Sequence, residues 1–305
     1  MYWVIVALMP ALIASFMVFG LGSLIVTATS VLSCLFFEWF ITRAFLKKPS
    51  TLADGSAIIT GILLAFNLPS NLPLYMIVVG ALVAIGIGKM AFGGLGNNPF
   101  NPALVGRVFL LISFPAKMTS WPVPHQLTAY ADAVTGATPM NLIGQIAGGN
   151  TAAADQLPAL KDLFMGNIGG CIGEVSALAL LIGLLILLWR KVITWHIPLT
   201  ILATVALLTG IMWMVNPVLY VNPLYHLCSG GLMLGAIFMA TDYVTSPMTH
   251  KGMVWYGIGI GFLTVVIRYF GSYPEGMSFA ILLMNAVTPL INNWCKPKRF
   301  GEAVK

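Results

Sequence analysis

Thr60-Gly61-Ile62-Leu63-Leu64-Ala65-Phe66, followed by a polar, proline-containing turn from Asn67 to Pro73, has a loose counterpart late in the chain. There Leu234-Gly235-Ala236-Ile237-Phe238-Met239-Ala240 runs into the turn Thr241 to Pro247. The register continues beyond both turns. A Gly-rich apolar stretch at 77–90 matches 254–267, and a polar break from Gly93 to Pro99 matches Gly271 to Gly276. A short apolar segment then carries Asn101 in one half and Asn285 in the other. A repeat unit with an odd number of membrane spans must be inverted relative to its copy, and inverted repeats place broken helices and polar backbone near the membrane midplane. The two breaks are therefore candidate linings of a central pathway, the alternative being ordinary loops at helix ends.

Of the 305 residues, 59% are hydrophobic and 8% charged, and mean hydropathy is +0.93. Soluble globular chains carry about a quarter charged residues, so this composition describes a polytopic membrane protein. Set against the roughly 20 residues that cross about 30 Å of hydrocarbon, the apolar stretches predict spans near 3–20, 22–41, 54–69, 72–91, 101–115, 168–189, 195–215, 224–240, 252–270 and 275–292. The expected fold is all-α, with ten transmembrane helices in two inverted five-helix repeats at 1–114 and 168–292. A loop at 115–167 separates them and a tail at 293–305 follows. The first stretch lacks the charged n-region and small-residue cleavage site of a secretory signal, so it is read as a span.

Lys and Arg set the orientation. With ten alternating spans, Arg43, Lys47, Lys48, Lys89, Arg190, Lys191, Lys251, Lys296, Lys298, Arg299 and Lys305 share one side, expected to be cytoplasmic. Lys117, Lys161 and Arg268 fall on the other, which makes the 115–167 loop outward-facing and the C-terminus cytoplasmic. The net charge of +6 reflects this insertion bias, with nothing resembling the basic, aromatic-interleaved surface of a nucleic-acid binder. Cys34, Cys171, Cys228 and Cys295 are scattered, and His125, His196, His226 and His250 show no ligand spacing. No metal or iron–sulfur site is expected from this chain alone.

Charge inside the hydrocarbon layer is costly and faces a bundle interior or a functional path. Asp54 opens the third predicted span, Glu174 lies within Ile172-Gly173-Glu174-Val175-Ser176 of the sixth, Asp242 ends the eighth, and Glu275 follows Tyr273-Pro274. Asp54, Glu174 and Asp242 are the ion-path candidates. Glu174 reads equally as a structural partner of Arg107, Asp242 alternatively as a helix cap, and Glu38 as an interfacial residue. The run Gly93-Gly94-Leu95-Gly96-Asn97-Asn98-Pro99-Phe100-Asn101-Pro102 offers amides that both donate to and accept from a flat heterocycle without adding charge. A polar turn is its plainer reading.

The long polar stretch between the halves contains Asp132-Ala133-Val134-Thr135-Gly136-Ala137-Thr138. It resembles Asp-x-x-Ser/Thr-Gly-Ala-Thr, the sequence that flavin transferases recognise when they join FMN, through its phosphate, to a threonine hydroxyl. Such a run arises by chance on the order of once in 10⁵ to 10⁶ positions at average residue usage. Gly136 and Ala137 leave the backbone bare for an approaching enzyme. Pro139 biases Thr138 to an extended conformation. A Gly/Pro/Thr turn is the alternative.

Together these segments resemble one family, the D subunit of the Rnf complex and the B subunit of the sodium-pumping NADH:quinone reductase. The resemblance covers nearly the whole chain. Besides the attachment sequence it rests on Gly93-Gly94, Asn98-Pro99-Phe100-Asn101-Pro102-Ala103-Leu104, Gly166-Asn167-Ile168, Ile172 to Ser176, Phe238 to Asp242 and Tyr273 to Met277. It implies a urea-transporter-like fold in the bacterial inner membrane, FMN esterified to Thr138, and non-covalent riboflavin held in part by Asn98 and Asn101. It also implies partners: a G-type flavoprotein, a C-type NAD-linked subunit, and A, B and E subunits. On this resemblance the chain is a subunit, not catalytic alone, of a translocase that couples ferredoxin oxidation and NAD⁺ reduction to Na⁺ or H⁺ movement. The first span begins within a few residues of Met1, which favours the Rnf branch. The rival expectation is a solute channel or transporter of similar fold, since fold does not decide function; the attachment sequence separates the two.

Overall fold

The computed structural model describes residues 1–47, 51–130, 132–271, 273 and 275–296. Most of the expected tail, with Lys298, Arg299 and Lys305, lies outside the described residues, as do Lys48 and Pro274. In chain order the helices and strands are α1 (Tyr2–Phe19), α2 (Leu21–Ala44), α3 (Ser56–Phe66), α4 (Leu74–Leu82), α5 (Pro102–Ser113), α6 (Pro115–Met118), β1 (Trp121–Pro122), β2 (Thr135–Gly136), α7 (Pro139–Ala147), α8 (Leu160–Met165), α9 (Ala177–Trp189), α10 (His196–Val215), α11 (Pro223–Cys228), α12 (Leu232–Leu234), α13 (His250–Phe270) and α14 (Met277–Trp294). Two π-helical segments, Val83–Ile87 and Gly235–Met239, continue α4 and α12.

Among the described residues, five helices are long and apolar enough to cross a membrane: α1, α2, Leu74–Phe92, α10 and α13. Of the other predicted spans, the third, fifth and sixth are shorter and the eighth is interrupted, while α14 has the length, 18 residues, but is less apolar. Helix α3 has 11 residues, so it rises only about 16 Å. The sixth span, expected from 168, becomes helical only at Ala177, where the Ser176 hydroxyl accepts from the Ala179 N–H at 3.3 Å. Glu174 therefore precedes α9 and is not inside it. The eighth is broken between α11 and α12 at Ser229 to Gly231, where Gly230 has φ +70°. The segment expected as a loop at 115–167 holds α6, the β1–β2 pair, α7 and α8.

Close helix approach is built on small residues, as lipid-embedded packing requires. Gly257 and Gly261, four apart on α13, lay bare backbone against Thr200 and Thr204 of α10. The Ser30 hydroxyl donates 2.7 Å to the Gly61 carbonyl, joining α2 to α3. Large apolar side chains such as Leu185, Leu207 and Phe262 point outward, as suits a hydrocarbon surround.

Glu38, read as an interfacial residue, turns away from any surrounding solvent into the protein. It is fully buried, its Oε2 lies 2.6 Å from Lys89 Nζ, and its Oε1 accepts from the Thr51 hydroxyl at 2.7 Å. No local pattern hints at the partner, because Lys89 is 51 positions away. An isolated charge there would be far more costly than this pair.

Candidate functional site

Asn98 and Asn101, three residues apart, and Asp242, 141 positions beyond Asn101, line one cavity that spans about 780 Å³ of non-atom space, part of it open to the outside. The walls are mainly apolar, with Leu63, Phe238 and Ile193 among them, and Ser56 and Lys89 add polar groups.

Local folding explains how the asparagines get there. Asn101 sits in extended backbone before Pro102 and caps α5, its Oδ1 accepting from the N–H groups of Ala103 at 3.0 Å and Leu104 at 3.4 Å. Its Nδ2 donates 3.2 Å to the Met239 carbonyl at the end of the second π segment. A π turn displaces the hydrogen-bond ladder, and Asn101 supplies that carbonyl with a donor. Asn98 Nδ2 donates 3.0 Å to the Phe100 carbonyl. The Asn98 side chain also lies against the Asp242 carboxylate. Asp242 Oδ2 accepts from the Thr245 hydroxyl at 3.3 Å, a bond within the turn between the second π segment, whose C-cap is Ala240, and α13, whose N-cap is Thr249; the helix-cap reading of Asp242 therefore does not hold, and it stands on the cavity wall.

Asp54 does not line the cavity; it acts on it through Ser56. Its Oδ1 accepts from the Ser56 N–H at 2.8 Å and from the Ser56 hydroxyl at 2.6 Å, and that hydroxyl accepts from Lys89 Nζ at 2.6 Å. A chain of hydrogen bonds thus runs from Asp54 through Ser56 and Lys89 to Glu38. Sequence reasoning missed Lys89 and Ser56 as cavity residues. The available signal was a lysine inside an apolar span, which demands a partner.

Glu174 belongs to a second buried polar cluster. Its Oε1 accepts from the Cys171 N–H at 3.1 Å. The alternative pairing with Arg107 is not formed: among the described residues the ion pairs are Lys89–Glu38 and Arg268–Glu275. Arg107 instead donates through Nη1 to the Ser278 hydroxyl. The bare Gly231 lets three charged groups close in on the break between α11 and α12, with Glu174 Oε2, Arg107 Nη1 and Glu275 Cδ all within 4.0 Å of where a Cβ would stand. Glu275 Oε2 accepts from the Gly231 N–H at 2.9 Å and lies 3.4 Å from Arg268 Nη2, while its Oε1 accepts from the Met277 N–H at 3.2 Å. Arg268, expected to mark the outer surface, is 5% exposed.

The attachment sequence lies away from the Asn98–Asp242 cavity and borders the second cluster, where the Ser229 hydroxyl donates to Met140 Sδ of α7 at 3.2 Å. Asp132 and Val134 to Ala137 are exposed. Thr135 and Gly136 form β2, antiparallel to β1 with Trp121 opposite Gly136. Gln126 holds the run in place by accepting from the Val134 N–H and donating to its carbonyl, both at 2.8 Å. Thr138 is extended, as Pro139 dictates, with φ −82° and ψ 157°. It is only 6% exposed, however. Its Oγ1 accepts from the Asn141 N–H at 3.3 Å and so caps α7, which points a helix N-terminus at the hydroxyl that would carry a phosphate.

The family model for "NQR2, RnfD, RnfE family" matches residues 1–301. The D subunit of the Na⁺-translocating ferredoxin:NAD⁺ oxidoreductase complex of Acetobacterium woodii is 48% identical over 98% of this chain and 89% of its own length. The corresponding D subunit of the proton-translocating ferredoxin:NAD⁺ oxidoreductase complex of Clostridium ljungdahlii is 42% identical over 99% and 91%. That of the ion-translocating oxidoreductase complex of Stutzerimonas stutzeri is 40% identical over 99% and 91%.

Proposed function

The chain belongs to the NQR2, RnfD, RnfE family, and from that premise we propose that it is the D-type membrane subunit of an ion-translocating ferredoxin:NAD⁺ oxidoreductase. It works as one part of a translocase. Its ten apolar segments form two inverted five-helix units of urea-transporter type, with the 115–167 segment outward and the C-terminus cytoplasmic. Its partners are the G-type and C-type subunits and the A, B and E subunits.

FMN is joined through its phosphate to Thr138 Oγ1, and the residues present suit it: an exposed approach from Asp132 to Ala137 and a helix N-terminus at the ester position. Riboflavin occupies the cavity between Asn98, Asn101, Lys89 and Asp242, whose amides, ammonium and carboxylate match the donors and acceptors around a flavin ring. Bound flavins supply one-electron and two-electron transfer. The chain itself holds them, shields them from water and orients them. Asp242, Asp54 and Glu174 are the ion-path residues.

The observation that carries this reading is the placement of Thr138 at the end of an exposed extended run, in a chain related along its whole length to D-type subunits. Intact-mass measurement tests it, on protein made with a competent flavin transferase. The expected result is an added mass of FMN less one water, absent from Thr138→Ala. An unmodified wild-type chain overturns the covalent reading.

A further inference from the structure

Arg190 and Lys191 give α9 an exposed cationic end that no acidic side chain answers; among the described residues the ion pairs are Lys89–Glu38 and Arg268–Glu275. Three observations set this end apart from a merely solvated one. The Arg190 guanidinium stands 3.8 Å from the ring centroid of Trp3 on α1 and 5.7 Å from that of Trp189. Stacking between two helices thus holds the cation, and its in-plane N–H groups stay free for an acceptor.

Lys191 follows the helix cap with φ +54°. Its N–H donates 3.0 Å to the Leu188 carbonyl, and the Val192 N–H donates 2.9 Å to the Leu187 carbonyl. Glycine is the usual residue at that point of such a helix ending; here a lysine takes it and adds an ammonium next to Arg190.

The surroundings are those of a bilayer boundary. Gly183 brings α9 against α1, since a Cβ there would stand 2.5 Å from the Ala7 carbonyl oxygen. Leading away from the cationic end, Val6, Met9 and Ile13 on α1 and Leu185, Ile182 and Leu178 on α9 form exposed apolar rows at helical spacing. Trp3, Trp189 and Trp195 are exposed at the cationic end itself, and indole rings settle at the headgroup level of a membrane.

We propose that Arg190 and Lys191 bind the phosphodiester of an anionic phospholipid from the surrounding bilayer, whose acyl chains lie along the apolar rows of α1 and α9. Arg190, steadied by Trp3, offers paired N–H groups to one phosphate, and Lys191 adds a compact charge. A soluble phosphate carries the same charge but makes no use of the apolar rows. A zwitterionic lipid fills the rows but brings a cation of its own to two that are already unpaired. Neither flavin takes part in this binding.

Native mass spectrometry of the full-length chain in detergent, titrated with dioleoylphosphatidylglycerol or dioleoylphosphatidylcholine, reads uptake of the first lipid. Wild type is expected to take up phosphatidylglycerol at least fivefold more readily. Arg190→Gln should weaken that uptake by about fivefold, and Arg190→Gln with Lys191→Gln by roughly 25-fold, the worth of one and two interfacial cations. Trp3→Leu keeps every charge and loses the stack, so it should weaken uptake by roughly two- to fivefold. Lys251→Gln, at the start of α13, removes one cation elsewhere and should change nothing. Equal uptake of both lipids by wild type, or an undiminished preference in the double variant, overturns the proposal. An equal loss in Lys251→Gln reduces the effect to net charge and overturns it too. So does loss of the phosphatidylglycerol adduct to an equal concentration of glycerol 3-phosphate, which would make the ligand a free phosphate.

Discussion

The ammonium of Lys89 lies 2.6 Å from the carboxylate of Glu38, and both side chains are withdrawn from solvent. Removing one partner strands the other in a low-dielectric interior, at a cost of about 3–5 kcal/mol. Lys89→Met alone should therefore lower the thermal stability of the detergent-solubilised protein strongly. The double variant Lys89→Met, Glu38→Leu should recover much of it. Fluorescence-detected gel filtration after graded heating reads both, and a double variant as unstable as the single would sink the argument.

Thr138 has two separable tasks, capping α7 and accepting a phosphoester. Thr138→Ala should lose in-gel flavin fluorescence entirely and about 1 kcal/mol of local stability with the cap. Thr138→Asn restores a cap without an acceptor hydroxyl. It should regain the stability and remain non-fluorescent, a split visible by running both assays on one preparation.

Asn98 and Asn101 should not behave alike. Asn101 spends its side chain on the α5 cap and the Met239 carbonyl, so Asn101→Ala should cost fold stability as well as non-covalent flavin. Asn98 donates to the carbonyl of its own turn. Asn98→Ala should leave melting nearly unchanged and weaken flavin retention by roughly two- to tenfold, the worth of one hydrogen bond. Chromatography of flavin released on denaturation, set beside thermal melts, distinguishes the two patterns.

Asp242→Asn, tested in the assembled complex in proteoliposomes, should reduce ion uptake per electron transferred while covalent flavin content stays at the wild-type level. Glu174→Gln tests the same idea on the far side of the broken helix. Asp54→Asn differs in kind, because it also loosens the Ser56 hydroxyl that steadies Lys89; its loss of uptake should come with lowered stability. Undiminished uptake in all three removes these acids from the path.

Gly106 has no room for a side chain: a Cβ there would stand 2.8 Å from the Gly80 carbonyl oxygen. Gly106→Val should cost about 1–3 kcal/mol through forced helix separation. Melting of the purified variant measures it, and a wild-type melt would disprove the close packing of α4 on α5.

The long helices were legible because an unbroken apolar run leaves little choice: the stretch expected at 195–215 is His196–Val215, and that at 252–270 is His250–Phe270. The short ones were not. Where α3 stops, the Phe66 carbonyl accepts from the Gly173 N–H at 2.9 Å and the Leu68 carbonyl from the Ile172 N–H at 3.1 Å, partners more than a hundred residues away that no local pattern announces. The same distance hid the cavity. Asn98 and Asn101 drew attention by composition, yet their meeting with Asp242 and Lys89 depends on two π turns. The pairing of Asn101 with Asn285 by repeat register has a physical counterpart: with the Asn285 amide turned to satisfy its neighbours, its oxygen accepts from the Asn101 N–H at 3.2 Å.

Helix α3 has an electrical consequence. At about 16 Å it covers roughly half of a hydrocarbon layer about 30 Å thick, and what meets its end is polar backbone from Asn67 and Gly173. Dipoles of that kind polarise, whereas lipid tails do not. The membrane voltage then drops mostly across the remaining apolar thickness, as in a capacitor whose plates have been pushed together. A charge moving through this part of the protein does its work against the full potential, about 2.3 kcal/mol per 100 mV, over a shortened path.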